Sequence, residues 1–177
     1  MTAPPGGDAR ASSSISPPII HSVSALRRAV GKYRRSGERL ALVPTMGAIH
    51  DGHLSLVKYA QARCDKVIVT TFVNPKQFGK GEDIDTYPAD EMRDTELLAE
   101  TGADLLFAPS QSEVYPPDFD TCVTVSDLSA KLCGAYRPGH FEGVATVVTK
   151  LLLQSMPDIA VFGEKDYRRR SFNKYLY

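Results

Sequence analysis

The sequence predicts an α/β fold, a parallel sheet with helices packed on both faces, and three observations carry that expectation. Short unbroken apolar runs such as Val67–Val73 (VIVTTFV) are β-branched and aromatic, as strands buried on both faces are. Segments with apolar residues at helical spacing separate these runs. The two kinds alternate along 177 residues, the length of one domain, and parallel strands joined through helices cross over right-handedly.

Residues 1–18 (MTAPPGGDARASSSISPP) hold almost no bulky apolar side chain and cannot offset their ordering entropy, so a disordered extension is expected there. Their Ser-rich, acid-poor composition leaves an organelle-targeting segment as the alternative. The folded domain is expected over 19–167. Ser22–Tyr33 puts Val23, Leu26 and Val30 on one helical face, with Ser22 or Ser24 as cap. Leu40–Val43 suits a buried strand that Pro44 stops. His53–Arg63 returns to helical spacing through Leu54, Val57 and Ala60. After the Val67–Val73 strand come an acidic helix over Asp90–Glu100 and a third strand, Asp104–Ala108, ended by Pro109. Cys122–Val125 reads as a short strand, Gly143–Met156 as a long apolar helix, and Ile159–Phe162 as the last strand. Residues 168–177 form a divergent basic tail.

Composition excludes several function classes. Lys and Arg total 21 and Asp and Glu total 21, so nothing draws the whole molecule to nucleic acid or an anionic membrane. Any anion site must be local. No apolar run approaches the ~18 residues of a membrane span. Three widely spaced cysteines without a CxxC pair read as reduced thiols in a cytoplasmic protein. Charge is nonetheless segregated: residues 82–104 carry nine acids against Arg93 alone, as a solvated helix face does.

In a parallel α/β sheet, ligands bind beyond the carboxyl ends of the strands, and polar motifs stand at those ends here. PTMGAIHDGH (Pro44–His53) follows a predicted strand and opens a predicted helix, where free N–H groups and the helix dipole hold phosphate. Gly47 and Gly52 permit a tight turn and close ligand approach. His50 and His53, three apart, share one face of the first turn and can stabilise phosphoryl charge. No third ligand accompanies them, so no metal site is expected. FVNPKQF (Phe72–Phe78) puts the Asn74 and Gln77 amides at the end of the best strand, where a polar substrate would be oriented, and Pro75 fixes the turn. In AYRPGHFEGVATVVTKLL (Ala135–Leu152), Arg137 and His140 precede a helix whose valines look like core. FGEKDY (Phe162–Tyr167) supplies Lys165 for polyphosphate and Asp166 to orient it. Neither GxGxxG nor GxxxxGK[ST] occurs, which disfavours dinucleotide oxidoreductases and P-loop ATPases.

These four blocks, in this order, resemble the pantothenate synthetase family, part of the HIGH-motif nucleotidyltransferase superfamily that includes class I aminoacyl-tRNA synthetases. The resemblance implies a Rossmann-like domain that activates pantoate with ATP as pantoyl adenylate, then joins it to β-alanine, releasing AMP and pyrophosphate. It implies ATP binding by Met46, Gly47, Ala48, Ile49, His50, Asp51, Gly52 and His53, and by Gly163, Glu164, Lys165 and Asp166. His53, His50 and Lys165 would be catalytic, His53 foremost, with Gln77 and Asn74 holding pantoate and β-alanine. Mg²⁺ would accompany ATP, mostly through phosphate oxygens and water, with Asp94 as an outer contact. A homodimer is implied as well. The resemblance spans about Ile20–Tyr167; Arg168 and Arg169 then replace two glutamines of the family, and its C-terminal lid domain is expected to be absent. Two alternatives follow: another HIGH-motif nucleotidyltransferase, or a truncated chain that binds nucleotide or dimerises without turnover.

Overall fold

The computed structural model describes residues 16–79, 84, 87–125 and 139–163. Within them, strands β1 (Ile19–Ile20), β2 (Leu40–Thr45), β3 (Lys66–Thr71), β4 (Leu105–Phe107) and β5 (Ile159–Ala160) form one sheet in the order β1-β4-β3-β2-β5. Every pairing is parallel, and β2 and β3 match residue for residue from Leu40↔Lys66 to Thr45↔Thr71. The connecting helices are α1 (Val23–Arg35), α2 (Asp51–Gln61), α3 (Glu91–Thr101), the single turn α4 (Gln111–Val114) and α5 (His140–Ser155).

The expected two-sided burial follows from strand periodicity. Leu40 and Leu42 point to one face, where Leu26 and Val30 of α1 and Val144, Val148 and Leu151 of α5 cover them. Ala41 and Val43 point to the other, against Val57 and Ala60 of α2 and Leu98 of α3. The chain therefore leaves β2 for α2 on one face and reaches the neighbouring β5 from α5 on the other. This reversal opens a crevice at the carboxyl ends of β2 and β5. Asp158 pins the turn into β5: its Oδ2 accepts from Leu40 N and from Arg34 of α1, both at 2.6 Å.

Several expectations need correction. Pro44 does not stop β2 but lies within it. The carbonyls of Leu40 and Leu42 face β5, accepting from Asp158 and Val161, so Pro44 turns its N–H-less nitrogen the same way, past the last β5 pair. Cys122–Val125 forms no strand; Val123 N–H donates instead to Thr146 Oγ1 on α5 at 3.0 Å. The chain is ordered before Ile19, because Pro17 is buried and the Pro18 carbonyl accepts from Leu106 at 3.0 Å. The rest of the expected extension and the basic tail lie outside the described residues. Ser22, not Ser24, caps α1, accepting from Ala25 N at 3.3 Å. Helix α2 starts two residues before the expected His53, and α5 starts three before Gly143.

Candidate functional site

The turn after β2 is built to hold an unusual shape. Thr45 Oγ1 donates to Thr70 O on β3 and accepts from Gly47 N at 3.1 Å. Gly47 (φ 86°) and Ala48 (φ 52°) are both left-handed, a conformation that costs a residue with a Cβ. Asp94, 2% exposed on α3, steadies them from below: its Oδ1 accepts from Ile49 N at 2.7 Å. A Cβ on Gly47 would stand 3.0 Å from Asp94 Oδ2, so glycine answers to both backbone and space here.

His50 is the N-cap of α2. Its Nδ1 accepts from Gly52 N at 3.1 Å, and a backbone N–H can only donate, so Nδ1 is unprotonated and Nε2 bears the hydrogen. His53 lies beside it one turn on, with ring centroids 4.1 Å apart and planes inclined at 43°. Both rings border a cleft of about 710 Å³ that Met46, Gly52, Asn74, Gln77 and Gly163 also line, walled by Val144, Val147, Val148 and Leu151 of α5. Thus an apolar cleft carries a few convergent polar groups at a helix start.

Asn74 caps a 3₁₀ turn, Pro75–Gln77, that Gln77 ends, and both are buried. Asn74 Oδ1 accepts from Lys76 N at 3.3 Å and from Tyr115 Oη at 2.8 Å. Its Nδ2 donates to Gln77 Oε1 at 3.2 Å and to Gly143 O at 3.0 Å. Asn74 thereby orients the turn and its neighbour, and Gln77 Nε2 extends toward Met46 Sδ at 2.6 Å. His140, from the third sequence block, donates from Nδ1 to Gln77 O at 2.6 Å, tying α5 to the turn. A Cβ on Gly143 would collide with the Lys76 carbonyl, so that helix approaches by glycine alone. Behind the turn, Lys150 shares the Tyr115 and Phe119 rings with Lys76; burial and that second ammonium push its pKa down.

The structure brings His50, His53, Met46, Gly52, Asn74, Gln77 and Gly163 into one cleft. Gly47 borders an adjoining hollow of about 240 Å³ with Asp94. Ile49 sends its side chain into the α2–α3 core, Ala48 makes the turn, and Asp51 is exposed at the first position of α2. Arg137, Glu164, Lys165 and Asp166 lie outside the described residues. Asp94, expected as an outer contact of magnesium, accepts the Ile49 amide through Oδ1 and also lines the hollow beside Gly47. Tyr115 is a site residue that sequence reasoning misses: nothing in its local sequence signals a contact 41 positions away. Among the described residues no three His, Cys, Asp or Glu side chains are grouped to hold a metal ion.

An open parallel sheet with paired histidines starting a helix at its switch point defines an α/β domain of the kind that binds ligands beyond the carboxyl ends of its strands. The chain belongs to the Pantoate-beta-alanine ligase family, whose profile matches residues 18–174. It is 57% identical over 155 residues to pantothenate synthetase of Chelativorans sp. (strain BNC1), covering 88% of this chain and 55% of that one. Against the Rhodospirillum rubrum pantothenate synthetase it is 55% identical over 152 residues, covering 86% and 54%. Among solved structures, pantothenate synthetase from Thermus thermophilus superposes with a TM-score of 0.82 at 47% identity, covering 89% of this chain and 57% of that one. Pantoate-beta-alanine ligase from Francisella tularensis, complexed with beta-gamma ATP and beta-alanine, gives 0.85 at 37% identity, covering 91% and 62%. The chain spans about half the length of the curated relatives it matches.

Proposed function

We propose that this chain carries the ATP- and pantoate-binding part of a pantothenate synthetase, which joins pantoate to β-alanine through pantoyl adenylate. The observation that supports it best is the His50–His53 pair, 4.1 Å apart at the start of α2, facing one cleft with Gln77. In this reading the pantoate carboxylate attacks the α-phosphorus of ATP and pyrophosphate leaves. The β-alanine amine then attacks the acyl carbon, expelling AMP. Little covalent work falls to the protein. His50 Nε2–H and His53 hydrogen-bond phosphate oxygens and stabilise the charge that builds there, and the α2 dipole adds to it. Gln77 Nε2 gives up the weak Met46 sulfur for a substrate oxygen. The apolar wall from α5 keeps water from the mixed anhydride. Gly163 and the following Glu164, Lys165 and Asp166 belong to the same ATP-binding reading. The residues described offer Mg²⁺ no cage, so it would ride on the triphosphate, and no step is assigned to it. A cytoplasmic location and a homodimer belong to this reading on family grounds alone.

Pantoate-dependent ATP–pyrophosphate exchange tests it. Exchange is expected, and His53→Ala should lower it 10²–10³-fold, roughly the 2.7–4 kcal/mol of one preorganised donor. Nucleotide binding without exchange would select the non-catalytic alternative. Exchange driven by a phosphorylated alcohol rather than pantoate would select another nucleotidyltransferase.

A further inference from the structure

We infer that Tyr115 is a positioning residue that holds Asn74, and through it the Gln77 amide, in the orientation that meets substrate in the cleft with an N–H donor. The inference rests on the reading of Gln77 as a substrate contact. Gln77 could present either end of its amide to a ligand, and its choice decides whether an oxygen acceptor or an ammonium is welcome. That choice is made by partners whose own polarity is fixed. Asn74 Oδ1 receives the Lys76 N–H, which can only donate, and Asn74 Nδ2 faces the Gly143 carbonyl, which can only accept. Asn74 therefore has one orientation. Its second amide hydrogen goes to Gln77 Oε1, leaving Nε2 directed at the cleft.

The Tyr115 hydroxyl, which can donate or accept, takes the polarity that the two backbone groups leave it. Against Oδ1 it must donate, at 2.8 Å. Burial pushes the phenol pKa up, so it keeps the proton that this bond uses. Its ring packs on Phe72 and Phe119, with centroids 6.1 Å and 5.2 Å away, contacts that phenylalanine would retain. The Lys76 bond to the same oxygen is longer, 3.3 Å, and is made within the turn itself. With the Gly143 carbonyl, the hydroxyl is thus a tertiary anchor of Asn74, and the bonds from Tyr115 through Asn74 to Gln77 point one way.

The test is Tyr115→Phe in the full chain, followed by ¹⁵N NMR of the side-chain amides and by titration with pantoate and, separately, ATP. The Asn74 and Gln77 amide signals should move. Pantoate affinity should fall roughly fivefold, as for one lost hydrogen bond, while ATP affinity stays within about twofold. A purely structural role would weaken both ligands equally, and that result, or unmoved amide signals, overturns the inference. If the unmodified chain binds no pantoate yet the amide signals move, the positioning role stands and the pantoate reading falls. Should Tyr115→Phe not fold, Gln77→Glu keeps the acceptor for Asn74 and puts an acceptor where the donor stood. It should abolish pantoate binding and favour the ammonium of β-alanine; pantoate affinity kept within about twofold overturns the inference.

Discussion

Replacing Asp94 by alanine should loosen the histidine loop from a distance. The carboxylate is 2% exposed, and the Ile49 amide it receives at 2.7 Å is equally enclosed. Without it a buried N–H loses its acceptor, a cost of about 1–3 kcal/mol, and a charge-assisted bond disappears with it. The preceding residues, Gly47 and Ala48, both sit at positive φ; once Ile49 is free, Ala48 gains by relaxing. Helix α2 starts at Asp51, capped by His50, so relaxation moves both imidazoles. The expected loss in urea unfolding is about 2 kcal/mol for Asp94→Ala. For Asp94→Asn it is about 1 kcal/mol, because the amide oxygen still accepts but without charge. ATP affinity should fall in the same order, and the Ile49 amide should lose its protection from hydrogen exchange. An unchanged unfolding midpoint with Ile49 still protected would refute the argument, since it would mean that the loop holds its shape unaided.

Two further outcomes follow from the packing. Gly143→Ala should destabilise the chain by about 1–3 kcal/mol and shift the Gln77 signals in NMR, because the new methyl meets the Lys76 backbone rather than a yielding side chain. Burial would raise the Asp158 carboxyl, but the Leu40 N–H and the Arg34 guanidinium outweigh it and hold it below the usual carboxylate range. Its contribution is therefore present above an unfolded pKa of about 3.9 and lost as pH falls through the lower folded value. Asp158→Asn should flatten the acid limb of Tm against pH, and an unaltered limb would count against the link.

The residues legible in the sequence are those whose neighbours in the chain announce them. His50 and His53 sit at a strand end with two glycines, and the structure sets their rings beside each other on one cleft. The sheet was legible for a similar reason, since Leu40–Val43 and Val67–Val73 contain their own burial signal. Pro44 misled because a local rule about proline ignores which side of β2 lacks a partner, and only the short β5 decides that. Cys122–Val125 misled because β-branched residues suit a strand, whereas Thr146 of α5 claims the Val123 amide first.

The residues that hold the site were harder to see, and physics explains why. Asp94 lies in an acidic stretch that reads as a solvated helix face, yet one carboxylate of that stretch turns inward to an amide 45 positions away. Tyr115 closes on Asn74 from a single helical turn with no period of its own. Both bonds join segments that only the folded sheet brings together, so their partners carry no local signature. A histidine that opens a helix after a tight left-handed turn needs a motif because the backbone before it must adopt a special path, whereas a supporting carboxylate or phenol needs only to arrive. Divergence in this family should therefore be read at two depths: changes in PTMGAIHDGH alter what the cleft can touch, while changes at Asp94 or Tyr115 alter how firmly it is held.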